Sequence, residues 1–357
     1  MSCDKELQPH RDAIDNIDAQ ILNLLNQRAT HAHKIGELKG TGVVYRPDRE
    51  AAVLNRLRKL NDGPLSDTAV VRLFREVMSE CLALERPLNI CYLGPEGTFT
   101  HLAALKHFGH AAQTTACATI DEAFRMVEAR QADYLVAPVE NSTEGAIGRT
   151  LDLLVSTSLN VCGEVVMRIH HNLLRKIANM EGIQKIYAHP QALAQCHEWL
   201  NKNLPQAQRI PVSSNAQGAL LATEDESSVA IASSLAAERY QLQQIAFNIE
   251  DEPNNTTRFL VLGQQNPNST GKDKTSLVVG APNRAGSVHR LLQAFSDYGV
   301  SMTKLESRPA KNMLWEYVFF IDIEGHQQDE NVAKSLNVLE EQASFVKRLG
   351  SYPASYL

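Results

Sequence analysis

The stretch "LQPHRDAIDNIDAQILNLLNQRATHAHKIGELKG", Leu7 to Gly40, decides how the chain begins. Leu7, Ile14, Ile17, Ile21, Leu24, Leu25, Ala32, Ile35 and Leu38 recur at near-heptad spacing. That pattern predicts one helix of about 35 residues, roughly 50 Å at 1.5 Å per residue. Two shorter helices should follow: "PDREAAVLNRLRKL", opened by Pro47 and Asp48, and "SDTAVVRLFREVMSECLALE", capped by Ser66. Neither is long enough to cover the apolar seam of the first, so a partner chain is expected against it. Arg11, Arg28 and Lys39 fall on or beside that seam. Cations placed there either snorkel at a dimer seam or build an anion site whose guanidinium forks grip carboxylates. Arg49 and Glu50, at the start of the second helix, would add to such a site.

From Pro87 the texture changes to short apolar runs alternating with helical segments: "LNICYLG", "DYLVAPV", "VCGEVVMRI", "KIYAHP", "SSVAIAS" and "RFLVLG". This is an α/β pattern. No G-x-G-x-x-G follows any of these strands, which removes most support for a dinucleotide-binding dehydrogenase. Three loops follow strands and open helices. "GPEGTFTHLAA" (94–104) offers Thr98 or Thr100 as a cap, and "VENSTEGAIGRTLDLL" (139–154) supplies Glu140, Asn141 and Ser142, then Gly145 at a helix start. "VSSNAQGALLA" (212–222) repeats the logic with Ser213, Ser214 and Asn215. Each alone is capping; together they set amides and hydroxyls at strand C-termini, where open α/β sheets bind anions.

After the polar linker "GQQNPNSTGKDK" comes a module of about 85 residues. Its order is "TSLVVGA", "GSVHRLLQAFSDYG", "VSMTKLES", "WEYVFFIDIEG", "ENVAKSLNVLEEQ" and "SFVKRLGSYP". That is βαββαβ, a ferredoxin-like arrangement. The domains are thus expected at 1–87, 88–264 and 274–357.

Composition narrows the class of function. A net charge of −6 argues against nucleic acid as a partner. No run approaches the ~18 apolar residues a membrane helix needs, and the polar N-terminus has no apolar signal region, so cytoplasmic residence is expected. Cys3, Cys81, Cys91, Cys117, Cys162 and Cys196 are scattered without a C-x-x-C, as reduced thiols would be. His31 and His33 face different ways on a helix, and His170 and His171 alternate on a strand, so no metal or other cofactor is expected. The N-x-[ST] sequences at Asn141, Asn254, Asn255 and Asn268 are discarded, since glycosylation requires secretion.

Arg11, Arg28, Lys39 and "DRE" at 48–50, on a long helix followed by two shorter ones, resemble the all-helical class of chorismate mutase. The resemblance implies two intertwined chains, with Arg11 of the neighbour and Arg28 clamping the substrate carboxylates and Lys39 donating to the ether oxygen as it breaks. It also implies that Glu50 takes the substrate hydroxyl and Arg49 completes the cationic wall. This chain has Glu85 where a glutamine is common, Cys81 in place of a small hydroxyl residue, and Arg46 where some relatives have Asp. A carboxyl donates only when protonated, so the expectation is that Glu85 is held neutral by burial or that mutase activity falls as pH rises.

The loops at 94–104, 139–154 and 212–222, with "AHPQALAQC" (188–196) and "TTRF" (256–259), resemble prephenate dehydratase. The family has two α/β lobes like type II periplasmic binding proteins, with the substrate in the cleft and the chain returning to the first lobe near "TRF". The resemblance implies that Thr257 donates to the departing ring hydroxyl, that Asn141, Ser142 and Ser214 supply neutral donors, and that Arg258 holds a carboxylate. Strand alternation points Arg258 opposite to Thr257 and Phe259 unless the start of the strand twists. Turn chemistry accounts for Asn254 and Asn255.

"NRAGSVHRLL" (283–292) and "LESRP" (305–309) resemble the effector motifs of an ACT domain, implying phenylalanine bound between two paired modules near Gly286, Glu306 and Ser307. Here Ser287, Val288 and His289 replace the more usual apolar residues after the glycine. The expectation is a bifunctional enzyme, a homodimer or higher oligomer, that turns chorismate into prephenate and then phenylpyruvate. An arogenate-preferring dehydratase and a non-enzymatic amino-acid or solute sensor are the alternatives.

Overall fold

A computed structural model describes residues 2–40, 44–282, 284–310 and 317–355. Asn283 of the first effector motif, and Trp315 and Glu316 of the strand expected there, lie outside the described residues, as does the side chain of Cys3. The chain divides into two compact units, residues 1–46, 53–88 and 108–113 forming one and the remainder the other.

The first unit is helical. Helix α1 (Ser2–Lys39) runs for 38 residues and continues through Pro9, near its N-terminal end. Helix α2 (Pro47–Leu60) starts with proline in its first turn, and α3 (Asp67–Glu85) is capped by the Ser66 hydroxyl, which accepts from the Ala69 amide. Helices α1 and α3 meet closely at Gly36, where an added Cβ would sit 2.7 Å from Glu85 Cγ. Any larger residue at 36 would push the Glu85 stem away. The seam predicted for α1 is solvent-facing in the single chain, with Ile14, Ile17, Ile21 and Leu24 each 47–62% exposed.

The second unit opens with β1 (Asn89–Leu93), α4 (Phe99–Phe108), β2 (Gln113–Cys117), α5 (Ile120–Glu128), β3 (Tyr134–Asn141), β4 (Gly145–Ala146), α6 (Gly148–Ser156) and β5 (Asn160–Arg168). A second lobe follows with β6 (Asn172–Arg175), β7 (Lys185–Ala188), α7 (Pro190–Gln195), α8 (His197–Asn203), β8 (Gln208–Pro211), α9 (Asn215–Ala222), β9 (Ser228–Ala232), α10 (Ser234–Arg239) and β10 (Gln243–Ala246). Strand β11 (Thr256–Gly263) then returns to the first sheet, whose order is β2-β1-β3-β11-β5, while the second sheet runs β10-β6-β9-β7-β8. The expected return near "TRF" is therefore present, and β11 is flanked antiparallel by β3 and β5. Gly145, expected at a helix start, instead pairs with Asn141 in β4, and α6 begins at Gly148.

The last segment is β12 (Asp273–Gly280), α11 (Ser287–Ser296), β13 (Met302–Pro309), β14 (Tyr317–Glu324), α12 (Glu330–Gln342) and β15 (Phe345–Pro353), in sheet order β13-β14-β12-β15. All its pairings are antiparallel, as the ferredoxin-like reading requires. Strand alternation divides its apolar residues between two cores. Leu277, Val279, Ile321 and Ile323 pack on α11 and α12. Val278, Phe320, Leu349 and Tyr352 join Leu151, Leu154, Leu260 and Leu262 of the first lobe.

Candidate active sites

In the helical unit the C-terminal ends of α1 and α3 bring Lys39 and Glu85 together. Lys39 Nζ lies 3.7 Å from Glu85 Oε2 and 3.4 Å from the Val44 carbonyl. The Glu85 side chain is only 6% exposed, yet its Oε2 has no hydrogen-bond partner among the described residues. A buried polar atom without a partner is costly unless a ligand completes it. Cys81, one turn earlier on α3, is buried. Arg28 is half-buried and reaches the Val77 carbonyl at 3.5 Å, the long limit of a hydrogen bond. Arg11 and Arg46 are exposed. Arg49, exposed, and Glu50, half-buried, stand in the first turn of α2.

In the two-lobed segment, Thr257 and Asn141 face each other across the β3–β11 pair. Asn141 Nδ2 donates to Thr257 Oγ1 at 2.8 Å and to Asn255 Oδ1 at 2.9 Å. Its Oδ1 is fixed from the other side by the backbone amides of Thr143 and Glu144, at 3.0 and 3.2 Å, and by the Thr143 hydroxyl at 2.6 Å. Backbone amides can only donate, so the Asn141 side chain has one orientation. Asn255 Nδ2 then donates to Gln195 Oε1, and Gln195 Nε2 to Thr143 Oγ1, both at 3.1 Å. The four side chains close a ring in which each donor meets an acceptor. Thr257 Oγ1 accepts from this ring, which leaves its own hydrogen to give elsewhere.

The other expected donors lie apart from this ring. Ser142 pins the start of β11, its hydroxyl accepting from the Thr256 amide at 2.9 Å. Ser214 caps α9 by accepting from the Gln217 amide at 3.0 Å, and it borders a cavity of about 670 Å³ with Pro95, Thr98, Phe99, His189 and Asn215. A second cavity of about 380 Å³ is walled by Thr143, Glu144, Gln195, Glu250 and Asn255. Thr257 lines neither.

Arg258 is a correction. It points away from Thr257, as alternation requires, and its guanidinium is spent on protein partners. Nε donates to Glu164 at 2.7 Å, Nη2 to the Tyr352 hydroxyl at 2.8 Å, and Nη1 to Asp322 of β14. Burial works against its charge, but the surrounding Tyr352, Asp322 and Glu164 more than offset that and keep it cationic. With 12% of its side chain exposed and each of its three nitrogens engaged by a protein partner, Arg258 is poorly placed to fork a substrate carboxylate. Asn255 is a second correction: it belongs to the donor ring and is not merely a turn residue. Gln195 and Thr143 sat within motifs already quoted, but no local pattern distinguishes an amide that closes a ring from one that faces water.

In the last segment Gly286 has φ +78°, the left-handed region that glycine enters cheaply, and it leads into α11. Glu306 and Ser307 are neighbours on the edge strand β13 and so face opposite sides, the first half-buried and the second exposed. Cys81, Cys91, Cys117, Cys162 and Cys196 are free and buried. Burial raises the thiols of Cys91, Cys117, Cys162 and Cys196, that of Cys162 to about 12. No helix among the described residues is long and apolar enough to cross a membrane.

Comparison with known proteins matches residues 10–86 to the family described as chorismate mutase type II, 90–267 to prephenate dehydratase and 275–341 to the ACT domain. A bifunctional chorismate mutase/prephenate dehydratase of Neisseria gonorrhoeae is 65% identical over 357 residues, covering 99% of each chain. One from Aquifex aeolicus is 44% identical, again over 99% of each. A crystal structure of a prephenate dehydratase from Arthrobacter aurescens in complex with L-Phe is 34% identical, with a TM-score of 0.68, covering 74% of this chain and 90% of that one.

Proposed function

We propose, because this chain belongs to the family of bifunctional chorismate mutase/prephenate dehydratases, that Lys39 with Glu85 and Thr257 with Asn141 are the working pairs of its two activities. The mutase step needs no covalent catalysis, only a compact substrate and hydrogen bonds to the ether oxygen as its carbon–oxygen bond breaks. The observation that carries this pairing is the buried Glu85 Oε2, partnerless within reach of Lys39. Lys39 donates from one side and Glu85 from the other, while Arg11 of a second copy and Arg28 hold the carboxylates. The exposed seam of α1 supports a homodimer in which a second copy covers it. Arg49 and Glu50 keep the roles the resemblance gives them.

Mutase activity of the intact chain is expected to decline from acid to alkaline pH, because a carboxylate has no hydrogen to give. Glu85→Gln, whose amide donates at every pH, is expected to flatten that profile. Equal flatness in both proteins would remove Glu85 from the donor role.

In the dehydratase step the bond from the ring carbon to carbon dioxide breaks, its electron pair enters the ring, and the ring hydroxyl departs as hydroxide. Thr257, polarised by the Asn141 amide, donates to that oxygen as negative charge develops on it. Aromatisation supplies the drive.

Phenylalanine is the effector, held by the ACT segment near Gly286, Glu306 and Ser307, and it acts by favouring one conformation over another. Calorimetry with L-phenylalanine and the full chain is expected to give saturable heat. Silence at millimolar phenylalanine would sink the sensor role.

A further inference from the structure

His171 sits between the two lobes, just before β6, and is only 2% exposed. Its ring meets Phe99 edge-on, with centroids 5.5 Å apart, and its Nε2 lies 2.8 Å from Gln195 Oε1. Nδ1 has no hydrogen-bond partner among the described residues. Which nitrogen carries the hydrogen follows from the donor ring. The amides of Thr143 and Glu144 fix Asn141 Oδ1 as an acceptor, so Nδ2 donates to Asn255 Oδ1, Asn255 Nδ2 donates to Gln195, and Gln195 must present Oε1. His171 therefore donates from Nε2 and keeps Nδ1 bare. Burial pushes the imidazole pKa below its ordinary value, against the opposing pull of the Gln195 bond and the Glu250 charge, which favours this neutral form.

We infer that His171 is a positioning residue of the dehydratase, whose Nε2–H locks the Gln195 and Asn255 amides in the sense that keeps an acceptor on Asn141 Nδ2 and so steadies the hydrogen it aims at Thr257. Reversing the ring would set a Gln195 N–H against the His171 N–H. Shifting the imidazole hydrogen to Nδ1 would relieve that contact but leave a buried N–H without an acceptor, the rarer and costlier orphan. Without His171, Gln195 and Asn255 lose the donor that orients them, and Asn141 loses its second fixed acceptor. Asn141 is still held at Oδ1 by the Thr143 and Glu144 amides, but an Asn255 free to turn would set its own amide hydrogens against Asn141 Nδ2 and tilt that amide off Thr257, and displacements of this kind at a reacting centre are expensive. His171 lines neither of the two cavities described above and its side chain bonds to Gln195, not to Thr257, so the effect is expected on turnover and not on prephenate binding.

The inference rests on Thr257 being the donor, and the test keeps the two apart by measuring three variants of the full chain with prephenate. His171→Phe keeps the ring and its packing on Phe99 but deletes the donor; kcat is expected to fall about tenfold or more, roughly 1.4 kcal/mol, with KM within threefold. His171→Gln puts an amide N–H near the Nε2 position and is expected to recover most of that loss. Mutase rate and thermal midpoint, read on the same samples, report folding. A His171→Phe kcat within threefold of wild type, or a His171→Gln enzyme as impaired as His171→Phe, overturns the inference. An active Thr257→Val overturns the donor reading beneath it.

Discussion

Thr257→Val is expected to lose dehydratase activity, with kcat/KM down by a factor of about 100 to 1,000, while mutase activity on the same polypeptide survives. The size follows from removing one preorganised donor to an oxygen that gains charge as it leaves, a loss typically of two to three powers of ten. Valine matches threonine in shape, so the cavity term is small. The hydroxyl is the difference, and its removal also leaves one Asn141 hydrogen without an acceptor at a site 8% exposed. That orphan costs about 1–3 kcal/mol of stability, and a thermal melt should register it. Thr257→Ser, which keeps the hydroxyl, separates the two effects and should retain most activity. Dehydratase kcat/KM within about tenfold of wild type in Thr257→Val, equivalent to roughly 1.4 kcal/mol, would refute the donor role.

What sequence could and could not reveal divides along physical lines. The long helix was legible because heptad spacing over so many turns has few other solutions. Strands β1, β3, β5, β7, β9 and β11 were legible as apolar runs bounded by turn residues. Strands β2, β6, β8 and β10 were not. They are four or five residues long, and three of them lie at sheet edges, where "QTTAC", "QRIP" and "QQIA" need not be apolar on both faces. At the site, alternation along β11 correctly set Thr257 and Arg258 on opposite faces, yet the guanidinium expected to hold a substrate carboxylate meets Glu164, Asp322 and Tyr352 instead. Its partners Asp322 and Tyr352 lie 64 and 94 residues further along the chain, and no local pattern announces them. The same holds for the amide ring, whose members Thr143, Gln195 and Asn255 come from two loops and the end of α7, brought together by the return of β11.

Arg258→Met is expected to destabilise the two-lobed and ACT segments by about 3–5 kcal/mol, the usual cost of deleting one partner from a buried ion cluster. Methionine replaces much of the stem, so the loss reports charge more than packing. The remaining anions are unequally provided for. Glu164 keeps Lys274 at 2.8 Å and the Ser355 amide at 3.0 Å. Asp322 keeps the Ser276 hydroxyl, at 2.5 Å, as the one side-chain hydrogen bond left to it among the described residues, and it is 9% exposed. The stranded charge is therefore mainly that of Asp322, and Arg258→Met with Asp322→Asn should be more stable than Arg258→Met alone. Substrate binding and scaffolding predict opposite outcomes for the single variant. A carboxylate clamp would raise the KM for prephenate and leave the melting temperature alone; a rivet between β11 and the ACT sheet lowers the melting temperature and leaves KM within about threefold wherever the protein remains folded. A stable Arg258→Met enzyme with a greatly raised KM would restore the clamp. The geometry favours the rivet because alternation along β11 turns Arg258 away from Thr257 and onto Glu164, Asp322 and Tyr352, so the residue that ties β11 to the ACT sheet stands beside the proposed hydrogen-bond donor without sharing its face.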